Sequence, residues 1–182
     1  MKIDILFLND EMNGHDEYFD NDLFQEYCET HSFEGKKNQI LSVPPSYSKS
    51  ENLTFIVGLG ENKEDINFYD LGTLIGSKIN SDAEIKFLNV MEDTNLIIDG
   101  ILYVQYKFNN YKSEDDSSVN NITFQDLDSS ENEIKKNSVF WVRDLINTPA
   151  LDKSPEQFIN KVKELVDSSG IEVEVYDQKW LE

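Results

Sequence analysis

Short apolar runs punctuated by turn residues alternate along this chain with longer amphipathic stretches. Residues 2–8 (KIDILFL), 38–43 (NQILSV, stopped by Pro44-Pro45), 53–59 (LTFIVGL), 84–90 (EIKFLNV) and 121–127 (NITFQDL) read as strands. The run 53–59 is almost uninterrupted, so it needs cover on both faces, which predicts a strand inside the sheet with Phe55 and Val57 buried. Between the first two strands, DNDLFQEYCETH fits a short helix. From 65 to 79, Ile66, Tyr69, Leu71, Leu74, Ile75 and Ile79 approximate a helical stripe. Strands alternating with helices predict a layered α/β domain.

The C-terminal part carries clearer start and stop signals. Ser130 with Glu133 three residues on predicts a capping box, followed by a helix whose Ile134, Trp141, Val142 and Leu145 share a face until Asn147 and Pro149 stop it. Ser154-Pro155 starts another, with Gln157 completing a second box and Phe158, Val162, Leu165 and Val166 as its stripe. Gly170 ends it, and IEVEV (171–175) alternates as a strand that wants a neighbour the chain does not supply.

Charge narrows the partners. The 182 residues carry a formal net charge of −20, with 16 Lys and Arg against 36 Asp and Glu, and no basic cluster stands out. Such a field repels phosphate backbones, which excludes nucleic acid and anionic membrane surfaces as partners. The one cysteine, Cys28, rules out an internal disulfide and fits a reducing compartment. The N-terminal apolar run is too short for a signal peptide, so the expected location is cytoplasmic.

Candidate chemistry is sparse. Gly58-Leu59-Gly60, between a strand and a helix, could offer backbone amides to a phosphate, but it lacks the third glycine of a dinucleotide fingerprint and the lysine of a P-loop; a tight turn is the preferred reading. Cys28 and His31 are one helical turn apart, with His15, Glu29 and Glu34 near in sequence. They fall short of a convergent ligand set, so a partly buried thiol and a surface imidazole are expected. Residues 10–34 read as a solvated acidic surface without EF-hand order, and the stretch SEDDSS (113–118) as a loop tip. Tyr103, Tyr106, Phe108 and Tyr111 read as core or domain-interface aromatics rather than a base-stacking platform. No catalytic, cofactor-binding or metal-ligating residue is assigned in this chain.

Three segments carry a family resemblance. RDLINTPALDKSPEQF resembles the junction leading into the catalytic domain of leucyl aminopeptidases (cytosol aminopeptidases), through Arg143, Asp144, Leu145, Asn147, Pro149 and Pro155. FIVGLGE is similar to that family's strand and Gly-Leu-Gly turn, and DGILYVQYKFNNYK matches another of its segments at Gly100, Tyr106, Phe108, Tyr111 and Lys112. Leu151 and Asn109 depart from it, where the family commonly has Asn and Asp. The run Asn-Thr-Asp-Ala-Glu-Gly-Arg-Leu that marks the family's two-metal site does not occur here.

The resemblance implies a macro-domain-like three-layer α/β/α domain with a mixed sheet over residues 1–128, a linker helix at 129–148, and the first helix and strand of the catalytic domain at 149–182. It also decides residues 97–104, whose β-branched residues suit a strand and whose spacing suits a helix, in favour of helix. It implies a non-catalytic, structural and assembly role for this chain within an enzyme that removes N-terminal residues from peptides using two divalent ions, Mn or Zn. Peptides would bind outside this domain, and the partners would be its own catalytic domain and further copies in a hexamer. The competing reading is a stand-alone macro-like module that binds a nucleotide-type ligand.

Overall fold

The computed structural model describes residues 1–109, 111, 119–167, 170–176 and 178–181. The loop expectation for 113–118 and the match at Lys112 therefore lie outside the described residues. The chain divides into two compact units, Met1–Phe140 and Trp141–Glu182.

The first unit is built on a five-stranded sheet: β1 (Lys2–Leu8), β2 (Ile40–Val43), β3 (Leu53–Gly58), β4 (Ala83–Phe87) and β5 (Ile122–Phe124), in the order β2-β3-β1-β4-β5. β1, β3, β4 and β5 run parallel, while β2 pairs antiparallel with β3 at one edge. The five strands expected between residues 2 and 127 form, and β3 is an interior one, with Phe55 and Val57 buried.

Alternation along β1 sends its side chains into two separate cores. Ile3, Ile5 and Phe7 join Phe55, Val57 and Ile85 under α2 (Phe68–Gly76) and α3 (Thr94–Tyr103). Leu6 and Leu8 face the other way, with Ile56, Leu41 and Val43, against Phe24 and Cys28 of α1 (Asn21–Thr30). The result is the α/β/α layering expected of this chain. Each fully buried Ile or Leu here contributes on the order of 2 kcal/mol.

Residues 94–103 are helical despite their β-branched content. Their glycine explains how the helix packs. A Cβ on Gly100 would lie 2.2 Å from the Tyr69 carbonyl oxygen of α2, and one on Gly72 would lie 2.1 Å from that of Ile97. The two backbones touch where side chains would otherwise keep helices 8–10 Å apart. Of the 65–79 stripe, Leu71, Ile75 and Ile79 are buried, whereas Leu74 is 38% exposed.

α4 (Ser130–Asn147) differs from expectation at its start and on its face. The Ser130–Glu133 capping box is not formed. The Asp128 carboxylate accepts the Ser130 amide at 3.0 Å, and the Glu133 carboxylate pairs with Lys136 instead. That hydrogen bond from Ser130 holds the Asp128 carboxyl below its ordinary range. A full charge is the stronger acceptor at a helix N-terminus, which is why Asp128 displaces the predicted cap.

The predicted apolar face is not the buried one. Ile134 and Val142 are exposed, and the fully buried residue of α4 is Asn132, whose Nδ2 donates to Asn95 O at 3.0 Å and to Asp99 Oδ1 at 2.8 Å. Further along, Phe140 meets Tyr106 edge-on at 5.2 Å.

The second unit holds the end of α4, α5 (Pro155–Val166) and the short α6 (Gln178–Leu181). Thr148 N and Oγ1 both donate to Asp144 O, and Lys153 Nζ donates to Leu145 O at 2.7 Å, so the last carbonyls of α4 find partners. The Ser154–Gln157 capping box forms as predicted. The strand expected at 171–175 does not: these residues adopt no regular structure. An alternating segment becomes a strand only when another backbone takes up its hydrogen bonds.

Candidate functional site

Parallel α/β sheets leave a crevice at the carboxyl ends of their strands, where neighbouring strands send their connections in opposite directions. In this sheet that place is between β1 and β4. Leu88 N still donates to Ile5 O at 2.8 Å, but one step on the two backbones part. The Asn89 side chain fills the gap: its Oδ1 accepts Phe7 N at 2.9 Å and its Nδ2 donates to Phe7 O at 2.7 Å. A side-chain amide thus takes the place of one peptide of β4 and holds the strands as they diverge.

A crevice of about 730 Å³ opens there. Apolar residues from all three strand ends form much of it, including Phe7, Leu59, Ile66, Phe68 and Met91, together with Asn9, Asn13 and Asn89. Every charged residue among its described lining is acidic: Glu64, Glu92 and Asp93, all exposed at the rim. Asp93 is the N-cap residue of α3, yet its side chain makes no capping hydrogen bond; the Thr94 hydroxyl takes up the local backbone instead, accepting Met91 N at 3.0 Å and donating to Met91 O at 2.6 Å.

The residues singled out from sequence lie elsewhere or lead away from ligand chemistry. In Gly58-Leu59-Gly60 all three amides already donate to backbone carbonyls, of Gln39, Leu8 and Gly35 respectively. A phosphate would find no free donor in this segment. Gly58 is required for another reason, since a Cβ there would lie 2.2 Å from Lys36 O, and Gly60 has φ +71°.

Cys28 and His31 diverge despite their spacing. Cys28 points into the core beside Phe24, where burial pushes its thiol up to about 11. His31 is exposed, stacked on Tyr27 with centroids 4.1 Å apart. His15 is separate again, stacked on Phe24, with Nε2 3.2 Å from Asp16 Oδ1. Among the described residues, no group of three His, Cys, Asp or Glu side chains is placed to hold a metal ion. The aromatics pair locally, Tyr103 with Tyr69 and Phe108 with Tyr111, and Tyr111 is exposed.

The buried thiol has a measurable consequence. At pH 8 it is almost wholly protonated, so labelling of native Cys28 by a disulfide reagent is expected to be at least about 100-fold slower than in urea. Stability should be indifferent to this thiol well below its ordinary value of 9.0, where both states hold the proton, and should decline as pH rises through 9.0 toward about 11, where only the unfolded chain releases it. Fast labelling of the native chain would show the side chain to be accessible.

What the sequence reading missed is the crevice itself. A usable signal was present: Asn9 and Asn89 each follow directly on an apolar strand run, at the end where open α/β sheets bind ligands.

A scan against protein-family models finds no match. Curated relatives do match, and over most of the chain. A probable cytosol aminopeptidase of Clostridium tetani is 25% identical over 186 residues, covering 87% of this chain and 37% of that protein. Another, of Aquifex aeolicus, is 26% identical over 171 residues, covering 85% of this chain and 34% of its own length. Over most of its length this chain is similar to proteins named cytosol aminopeptidase. It spans about a third of the length of the relatives it matches.

The architecture agrees. A mutant of tomato leucine aminopeptidase superposes with a TM-score of 0.73 at 14% identity, over 99% of this chain and 42% of that one. So does the bottromycin maturation enzyme BotP in complex with Mn, with a TM-score of 0.72 at 15% identity, over 99% and 39%. Among the described residues, no helix is long and apolar enough to cross a membrane.

Proposed function

We propose that this chain acts as the N-terminal, non-catalytic part of a metal-dependent leucyl aminopeptidase in the cytoplasm, with a structural role in assembling the enzyme. The observation that carries the reading is coverage: a relative named probable cytosol aminopeptidase matches 87% of this chain while only 37% of its own length lies in the match. In this reading the two divalent ions, Mn or Zn, and the groups that polarise the scissile carbonyl belong to a catalytic domain. No chemical step is assigned to the residues of this chain. They supply the layered domain, the linker helix α4 and its capped C-terminus at Arg143–Pro149, and copies of the enzyme associate into a hexamer.

The test is a leucyl-anilide assay with Mn or Zn, run on the 182-residue chain and on the product of the same reading frame expressed through its native stop codon. The chain alone should show no turnover and no sub-micromolar ion binding by calorimetry, and the longer product should show turnover that a chelator removes. Chelator-sensitive hydrolysis by the 182 residues alone would overturn the proposal, as would a longer product without activity.

A further inference from the structure

We propose that Asn13-Gly14, in the turn region that follows β1, is a self-modification site at which Asn13 converts to a mixture of isoaspartate and aspartate without an enzyme. Of all the asparagines in the chain, Asn13 alone is followed by glycine. The chemistry needs that neighbour, because the attacking group is the amide nitrogen of the next residue and glycine puts no Cβ in its way.

In the first step the Gly14 nitrogen attacks Cγ of Asn13. The N–Cγ bond forms and the Cγ–Nδ2 bond breaks; the Gly14 amide proton passes to hydroxide, and Nδ2 takes a proton from water and leaves as ammonia. The product is a succinimide ring, which water then opens at either carbonyl. Cleavage of the new N–Cγ bond gives aspartate. Cleavage of the original main-chain bond gives isoaspartate, whose backbone runs through Cβ and Cγ. Water is the only co-reactant.

The geometry leaves this path open. Asn13 and Gly14 lie in a turn, and both are exposed. Gly14 has φ +90°, and a Cβ built on it would meet nothing within 4 Å, so a ring has room to close there. Among the described residues no group accepts the Gly14 amide, so no hydrogen bond has to break before it attacks. One contact restrains the side chain: Asn13 Nδ2 donates to Glu11 Oε2 at 2.8 Å. Both side chains are exposed, and water replaces such a bond at little cost.

The fold also closes the alternatives. Asp99-Gly100 is the chain's one Asp-Gly pair and could form the same ring with loss of water. It lies inside α3, where the amides are committed to the helical ladder, and Asp99 Oδ1 accepts Asn132 Nδ2 at 2.8 Å. Asn137-Ser138 is held in the same way inside α4. At Asn13 the product has a consequence, because this residue lines the crevice. A neutral amide becomes a carboxylate at a rim that already carries Glu64, Glu92 and Asp93, and isoaspartate lengthens a backbone whose Met12 N donates to Asn9 O at 3.1 Å.

The experiment is timed incubation of the 182-residue chain, native and unfolded in urea, at pH 6 and pH 8. Peptide mapping by mass spectrometry follows, with electron-transfer fragmentation to tell isoaspartate from aspartate. The mass gain of an NH2 replaced by OH is expected at Asn13, faster at pH 8 because the amide must lose its proton, and ahead of any change at Asn137. The native rate should fall within about tenfold of the unfolded rate, since an exposed turn opens at almost no cost. Asn13→Gln should remove the signal. Gly14→Ala should slow it in urea as well as in the native chain, because the obstacle is then the added methyl and not the fold. The proposal is overturned if native Asn13 stays intact or lags further behind the unfolded rate, if aspartate forms with no isoaspartate, or if Gly14→Ala reacts in urea as fast as the parent.

Discussion

Replacing Gly72 or Gly100 by alanine is expected to destabilise the first unit by at least about 2 kcal/mol, although alanine is the better helix former. In an ordinary helix interior the exchange would gain up to about 1 kcal/mol. Here the added Cβ would lie 2.1 Å from Ile97 O at Gly72 and 2.2 Å from Tyr69 O at Gly100. Both obstacles are backbone atoms, so relief requires moving one helix off the other rather than turning a side chain. Separating α2 from α3 would open the core shared by Leu71, Ile75, Ile97 and Ile101. Because both substitutions push the same two helices apart, the double variant should lose less than the sum of the singles. Leu74→Ala, on the exposed side of α2, serves as the control and should change stability by no more than about 0.5 kcal/mol. Urea denaturation followed by circular dichroism measures all four. A stability gain for Gly100→Ala would show that the helices do not approach this closely.

Asn132→Leu should cost about 2–3 kcal/mol and release the start of α4. The substitution adds apolar area at a buried position. It also strips a donor from Asp99 Oδ1 and from Asn95 O, and Asp99 is 9% exposed. The lost donor outweighs the gained area because a carboxylate left with fewer partners out of water is the more expensive outcome. Replacing both members, Asp99→Leu with Asn132→Leu, should be milder than the sum of the singles, since no buried charge is then left behind. Hydrogen exchange at residues 131–140 reads the local release, and denaturation reads the total. Unchanged protection in Asn132→Leu would show that α4 is held by something else. In the proposed enzyme this bond would fix where the linker helix departs.

Much of the fold was legible because local pattern and tertiary environment agree. The five strands, α1 and α2 follow the periodicity of their apolar residues, and the Ser154–Gln157 box forms with Pro155 in the first turn, whereas the equally local Ser130–Glu133 box gives way to the Asp128 carboxylate. The strand predicted at 171–175 failed because a strand is a property of two backbones, and its alternation names no partner. The face of α4 was misread because burial there follows a hydrogen bond, from Asn132 to Asp99 across 33 positions, which no hydrophobic count records. Gly58-Leu59-Gly60 was read as a tight turn, whereas Gly58 ends β3 and Leu59 and Gly60 follow it without regular structure; only the carbonyls of Gln39, Leu8 and Gly35 show that the donors of this segment are spent.

The amino-acid sequence by itself determined the layered α/β class, the interior place of β3, the acidic character and the resemblance to aminopeptidases. These follow from composition, from periods of 2 and 3.6, and from short motifs, all of which are local. The tertiary structure alone decided the crevice, the glycine contact between α2 and α3, and the divergence of Cys28 from His31. Each depends on atoms far apart in the chain meeting within a few ångströms, and distances of that kind are set by how the layers pack rather than by spacing along the sequence.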